Sequence, residues 1–266
     1  MASLIDVATQ AARAGGEVLL ANWRRLPQGS VSEKQQNDFV TSADRESENA
    51  IVAAIHAAFP RDRFLAEEGG AHGSGSSEEG RTWIIDPLDG TSNFIAGFPF
   101  WCVSIGARES GGLTAGVIWD PLRGELYAAE RGSGAFRNGA RISVSARGSL
   151  AGAFLGTGFP FRAHEKLDQY LSLFRVVFLE ARAIRRAGSA ALDLAHVAAG
   201  VFDGFFEFRL SPWDIAAGAV LIEEAGGVVT DMTGKELALE RGDILAGPPA
   251  IVAELATHAR RILGVT

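Results

Sequence analysis

Cysteine is almost absent from this 266-residue chain: Cys102 stands alone, so no internal disulfide can form. It lies in the apolar run FPFWCVSIG, where a small buried hydrophobe is the plain reading and a reactive thiol the sharper one. Also missing is any uncharged apolar run of 18 residues, so no membrane-spanning helix is expected. The first residues, MASLIDVATQAARAGG, carry neither a basic n-region nor a continuous apolar h-region, and no secretory signal is visible. A reduced, soluble, cytoplasmic protein is the expectation. Positive charge is in deficit: 25 Lys and Arg against 32 Asp and Glu give a net charge of −7. Binding to nucleic acid or an anionic membrane draws on clustered Lys and Arg, so neither partner is expected. The strings G-x-S-x-G, H-E-x-x-H and G-x-x-x-x-G-K-[ST] do not occur, which removes the common nucleophile elbow, zinc helix and phosphate loop. The five histidines are scattered, and His56 and His196 fall in helical stretches where packing or exposure explains them.

What is present is an ordinary globular balance, 47% hydrophobic and 21% charged, with length for a substantial core or two packed subregions. Leu4, Ala8, Ala11, Ala12, Gly15, Val18, Leu19 and Trp23 recur at helical spacing and predict an amphipathic helix over 4–25. A second helix is predicted from Ser42 through Ile51 and Ile55, stopping before Pro60. FLAEE and TWIID read as strands separated by GGAHGSGSSEEG, a segment predicting a mobile surface loop with Glu78 and Glu79 solvated. WCVSIGARE, LTAGVIWD, ELYAAE and RISVS predict an antiparallel meander from Trp101 to Val144. After Gly158 helices (LDQYLSLFRVVF, SAALDLAHVAAG, PWDIAAGAVLIEEAGG and 250–262) alternate with strands (AIRRAG, DGFFEF, GVVTD, DILAG). The expected class is α+β: residues 1–150 with an antiparallel sheet, residues 151–266 with a mixed one, packed as one layered unit.

The acids carry the chemistry. Asp44 and Asp214 stand in first turns of helices, where the dipole alone favours them. Ser211 followed by Pro212 is a sufficient helix start without any catalysis. Glu67 and Glu68 end an apolar strand, and Glu67 alone would be a loop acid. Asp86 and Asp89 are harder to dismiss, because D-P-x-D-G-T directly after an apolar strand is a long and specific string. Were these carboxylates to converge, two unit charges about 4 Å apart would repel by roughly 4 kcal/mol at an effective dielectric near 20. No Arg or Lys stands within DPLDGT to compensate, and divalent cations are the natural counter-charge. Oxygen donors without His or Cys suit Mg²⁺ or Mn²⁺. The Pro87-Leu88 kink would expose a carbonyl, Gly90 would permit close approach, and the Gly90 and Thr91 amides would seat an anion if a helix begins there. The stretch reads as a metal site on one side and a phosphate site on the other, suited to in-line attack by a metal-activated water.

WIIDPLDGTSNF (83–94) resembles the first signature of the inositol monophosphatase family, and PWDIAAGAVLIEEAGG (212–227) resembles the second. NDFVTSAD (37–44), the acidic pair in FLAEEGG and RRAGSAALDLAHVAAG (185–200) resemble its further marks in family order, and DGFFEFRLSPWD is most similar to the bacterial branch. The resemblance implies a layered αβαβα fold, a homodimer, and Mg²⁺-dependent, lithium-inhibited hydrolysis of small phosphate monoesters, inositol monophosphate first among them. It implies two or three Mg²⁺ ions per subunit, with Mn²⁺ as a substitute. Glu67, Asp86 and the Leu88 carbonyl would hold the first metal, and Asp86, Asp89 and Asp214 the second; a third, weaker ion would share Glu67. Asp44, Glu67 and Thr91 would be the catalytic set, with Thr91 and Asp44 positioning the attacking water. Asp89, Gly90, Thr91 and Asp214 would contact the substrate at the phosphate end. Gly188, Ser189, Ala190 and Glu207 would line the alcohol pocket, with Arg185 near the same wall. Lys34 matches a family lysine near the metal mouth. The same metal centre serves fructose-1,6-bisphosphatase, 3′-nucleotide bisphosphatase and histidinol-phosphate phosphatase relatives. Glu207 favours a polyol, although it would also attract histidinol's ammonium, and basic residues for a bisphosphate are available between 160 and 210 (Arg162, Lys166, Arg175, Arg182, Arg185, Arg186, Arg209). A regulatory binding protein that keeps the fold is the alternative of another class.

Overall fold

The computed structural model describes residues 3–26, 29–35, 38–73, 80–161 and 163–265, with backbone alone at 34, 35 and 38. Glu78, Glu79 and Arg162, and the side chain of Lys34, lie outside the described residues.

Two amphipathic helices form the first layer. Helix α1 (Leu4–Asn22) buries Val7, Ala8, Ala11, Ala12 and Leu19 along one stripe and starts at Ser3, whose Oγ accepts from the Asp6 amide. A hairpin, β1 (Val31–Gln35) with β2 (Asp38–Thr41), leads into α2 (Ser42–Ala58). Both helices cover one face of an eight-stranded sheet made of β3 (Arg63–Ala66), β4 (Gly70–His72), β5 (Thr82–Asp89), β6 (Cys102–Glu109), β7 (Gly112–Asp120), β8 (Glu125–Glu130), β9 (Gly134–Arg137) and β10 (Ala140–Arg141). Its strand order is β10-β9-β8-β7-β6-β5-β3-β4, and a short helix, α3 (Thr91–Ala96), interrupts the chain between β5 and β6.

The second sheet has five strands: β11 (Phe154–Thr157), β12 (Ala183–Arg185), β13 (Gly204–Glu207), β14 (Val228–Thr230) and β15 (Ile244–Gly247), ordered β12-β11-β13-β15-β14. Helices α4 (Leu167–Glu180) and α7 (Pro249–Leu263) cover its outer face. Between the two sheets lie α5 (Ala190–Ala198) and α6 (Pro212–Glu224). Helix α6 buries eight consecutive residues, Ile215 to Ile222, as a helix enclosed on all sides must. The result is five layers, αβαβα, as the sequence led us to expect. Among the described residues no helix is long and apolar enough to cross a membrane.

Several elements differ from expectation. The large sheet is not wholly antiparallel, because β3 pairs parallel with β5 and antiparallel with β4 on its other edge. Gly70–His72, expected in a loop, is therefore a strand, while 74–79 lies outside the described residues. RISVS contributes only Arg141 to a strand, and residues 142–149 have no regular structure. The hairpin β1–β2 and the strands β9 and β11 have too few apolar positions for a period to emerge from sequence.

Candidate metal and phosphate site

Strand β5 enters the core as Trp83-Ile84-Ile85, each fully buried, and then breaks its own period. Side chains on a regular strand alternate faces, so Asp86 and Asp89, three apart, should point oppositely. A bulge resolves this: Asp86 pairs with Ser104 and Asp89 with Cys102, so three steps on β5 span two on β6. Pro87, which has no N–H to give a ladder, falls inside the bulge. Both aspartates thereby face one place, and Asp214 from α6 joins them; ligand oxygens of the three lie within 4.8 Å of one another.

Each acid is anchored through one oxygen to a backbone amide. Asp86 Oδ1 accepts from the Leu88 amide at 3.0 Å. Asp89 Oδ2 accepts from the Ala191 amide at 2.7 Å and the Ser189 hydroxyl at 2.6 Å, at the start of α5 where the helix dipole favours negative charge. Asp214 Oδ2 accepts from the Ser211 amide at 2.7 Å, and Asp44 Oδ2 from the Thr41 amide at 2.9 Å, each closing a capping box. The helix-start role and a site role therefore coexist in both residues. The other oxygen of Asp44 accepts from Thr91 Oγ1 at 3.1 Å, and the same hydroxyl stands 3.1 Å from the Leu88 carbonyl. Having one proton, Thr91 donates to one of the two at a time. The Ser47 hydroxyl donates to the Pro87 carbonyl at 3.0 Å and fixes the bulge from behind.

Gly90 turns the chain from the bulge into α3 with φ at +99°, and a Cβ there would come 3.0 Å from the Phe100 carbonyl oxygen. Helix α3 does begin at Thr91. Glu67 follows β3, donates its amide to the Ile85 carbonyl at 3.1 Å, and lines the same cavity, outside the three-acid cluster. Glu48, unremarked in the sequence, accepts from the Glu68 amide at 2.9 Å and fixes the turn that carries Glu67.

Burial and mutual repulsion govern the charges. Burial, then the charges of Glu67, Asp89 and Asp214, push the Asp86 carboxyl well above its ordinary range. Burial and Asp214 raise Asp89 to about 7. Asp44 rises to about 6, chiefly by burial and against its Thr41 bonds. No Lys or Arg pairs with Asp86 or Asp89 among the described residues. An all-oxygen, acid-rich cluster fits a hard divalent metal. Cys102 is buried against Asp89, at 3.9 Å, and burial pushes its thiol up, in keeping with the plain reading of a small hydrophobe.

The cavity holds about 400 Å³. Glu67, Asp86, Leu88, Asp89, Gly90, Thr91 and Asp214 line it, together with Gly188, Ser189, Ala190 and Glu207. Asp44 sits behind Thr91 and reaches the cavity through it. Arg185 is not part of the wall: as the last residue of β12 its guanidinium lies over the Phe154 ring, 4.9 Å from its centroid. Its neighbour Arg186 lines the cavity instead, 5.3 and 5.2 Å from the ring centroids of Phe159 and Phe161. Asp193, Phe159 and Phe161 are further lining residues for which no role was expected from sequence, and Arg209, noted there only as an available cation, lines it as well.

A family model described as "Inositol monophosphatase family" matches residues 1–263. A Pseudomonas aeruginosa protein named Nus factor SuhB is 50% identical over 250 residues, covering 93% of this chain and 92% of its own. Among solved structures, the extragenic suppressor protein suhB of Bartonella henselae superposes with a TM-score of 0.92 at 41% identity, covering 98% of this chain and 99% of that one. Inositol monophosphatase from Anabaena (Nostoc) follows with a TM-score of 0.86 at 39% identity, over 98% and 96% of the two chains.

Proposed function

The chain belongs to the inositol monophosphatase family, and from that premise we propose that it is a Mg²⁺-dependent phosphomonoesterase hydrolysing inositol monophosphate to inositol and phosphate. One observation carries the reading: three carboxylates distant in sequence, Asp86, Asp89 and Asp214, bring oxygens within 4.8 Å of each other beside the Gly90-Thr91 turn. Asp86, Asp89, Asp214, Glu67 and the Leu88 carbonyl would hold Mg²⁺, or Mn²⁺ in its place. Bound there, such ions supply charge neutralisation of the phosphoryl group and acidify a nucleophilic water. The chain's own residues do the rest. Thr91 Oγ1 donates to Asp44 Oδ1 and so offers its lone pairs to a water aligned for in-line attack. Asp44, raised to about 6, is a base matched to neutral conditions, and receives the proton that Thr91 relays. Glu207, Gly188, Ser189 and Ala190 bound the space for the leaving alcohol. The family resemblance extends the reading to a cytoplasmic, lithium-sensitive homodimer.

The test is phosphate release from inositol 1-phosphate, fructose 1,6-bisphosphate, a 3′,5′-nucleotide and histidinol phosphate, with and without Mg²⁺. Preferred, chelator-sensitive release from inositol 1-phosphate is expected. Asp89→Asn should lower turnover by roughly three orders of magnitude or more, on the scale of losing a group that stabilises the transition state, with the circular-dichroism spectrum unchanged. Near-normal turnover of that variant at saturating Mg²⁺ would defeat the assignment.

A second reading rests on the relatives' name. Proteins 50% and 42% identical are named Nus factor SuhB, a transcription-related name that a hydrolase would not require. It favours a regulatory role alongside catalysis, and it runs against the expectation, drawn from net charge, of no nucleic-acid association. In a pull-down from cell extract, a partner retained by Asp89→Asn while turnover is lost would separate the two roles.

A further inference from the structure

Asp193 has no part in the mechanism above, yet it lines the same cavity. It lies in the first turn of α5, is 1% exposed, and its Oδ1 has no hydrogen-bond partner. Its neighbours along the helix, Ala191, Leu192, Leu194 and Ala195, are all buried and apolar. Keeping a buried polar atom without a partner is costly, and such an atom in a native fold calls for a reason. The helix does not supply one. Ser189 already caps α5 by accepting from the Leu192 amide, and Asp89 already occupies its first amides.

The surroundings do supply one. Glu207, on β13, faces the cavity with its carboxylate laid over Gly158, where a Cβ would have no room. Burial pushes the Asp193 carboxyl well up, Glu207 and Asp89 add like charge, and Arg186 works against them. Two carboxyls from separate elements, beyond the three-acid cluster, thus line the same cavity and act on each other. Arg186 beside them disfavours a cationic ligand, whereas a hydroxyl can donate to a carboxyl in either protonation state.

We propose that Asp193 is a specificity-determining residue, which with Glu207 accepts hydrogen bonds from adjacent hydroxyls of a polyol leaving group. The proposal rests on the phosphomonoesterase reading and deepens it: Asp193 is a further source of the preference for the polyol ester over alkyl or aryl monoesters, which offer no such donors.

The experiment compares kcat/KM for inositol 1-phosphate and p-nitrophenyl phosphate in wild-type protein, Asp193→Ala and Asp193→Asn, each loaded with Mg²⁺. In Asp193→Ala the ratio of the two values should fall about 3- to 10-fold, mainly through KM for the polyol ester, as for loss of a hydrogen bond between uncharged groups. Asp193→Asn, which keeps an acceptor oxygen, should restore most of the preference. The melting temperature of Asp193→Ala should not drop, because alanine suits a helix and a partly unsatisfied buried group is removed. Equal losses on both substrates together with a lower melting temperature would make Asp193 structural and overturn the proposal, as would an unchanged ratio. Wild-type protein active on p-nitrophenyl phosphate without preferring inositol 1-phosphate would overturn it while sparing the phosphomonoesterase reading. No turnover of either ester would overturn both.

Discussion

Each site aspartate works in two directions, one oxygen tied to a backbone amide and the carboxyl as a whole held among like charges. That arrangement makes the metal-free chain sensitive to pH. In the folded protein Asp44 titrates near 6 and Asp89 near 7, against 3.8 for an unburied aspartate. Between those limits the folded state keeps protons that the unfolded state has lost, so what these two groups contribute to stability falls as pH rises from about 4 to about 7, and Asp86, held well above its ordinary range, adds to the same decline. In chelator, the melting temperature should therefore decline across that range, and Asp89→Asn should flatten the decline. A divalent cation at neutral pH should restore the wild type and not the variant. A wild-type profile no steeper than that of the variant would contradict the role given to Asp89. Much of this was legible in sequence, because D-P-x-D-G-T after an apolar strand announces carboxylates at a strand exit. Asp193 was not, since one acid within SAALDLAHVAAG reads as a helix-surface residue until the helix is known to be buried on every side. The Arg185–Arg186 pair shows the same limit: which of two adjacent arginines faces a cavity depends on how β12 ends.

At the scale of elements, the position of Asp214 depends on how closely α6 approaches the large sheet. Gly106 on β6 pairs with Gly116 on β7, and the two form a notch in the sheet surface. Ala216 and Ala217 of α6 fill it: a Cβ on Gly106 would stand 2.7 Å from the Ala216 Cβ, and one on Gly116 would stand 2.9 Å from the Ala217 Cα and closer still to its carbonyl oxygen. The obstacle at Gly116 is backbone, which cannot rotate away. Gly116→Ala should destabilise the fold by about 1–3 kcal/mol, as overpacking does, measured as a lower urea midpoint with unchanged slope. It should also reduce turnover, because lifting α6 draws Asp214 away from Asp86 and Asp89. Gly148→Ala, where nothing stands within 4 Å of the new Cβ, is the control and should change neither. Equal stability of the two variants would refute the notch. The first two helices were legible because their apolar stripes are long, and α6 because Ser211 and Pro212 mark its start, whereas the caps Ser3 and Thr41 emerged only from the structure. The notch was not, since a glycine in WCVSIGARE or LTAGVIWD reads as a weak point of a strand and gives no hint that a helix backbone lies upon it.

At the scale of the whole molecule, the five layers share their middle one. Residues of α5 and α6 pack against Ile84, Ile118 and Tyr127 of the large sheet and against Phe205, Ile244 and Ala246 of the small one within one apolar cluster. The site draws on both halves as well: Asp86 and Asp89 come from the first, Asp214 and Glu207 from the second. Residues 1–150 and 151–266, expected from sequence as two subregions of one unit, each keep an apolar cluster of their own but share this middle one, so loss of either should expose the shared helices. Cooperative unfolding follows. Four of the five tryptophans (Trp23, Trp83, Trp101 and Trp119) fall before residue 150, and Trp213 belongs to α6, so fluorescence reports the first three layers. Far-UV circular dichroism also weighs α4 and α7 of the outermost layer. In urea the two signals should follow one transition with a common midpoint. A circular-dichroism transition displaced from the fluorescence one would mean that the small sheet and its outer helices unfold as a unit of their own, and that Asp214 and Glu207 are carried by a separable half.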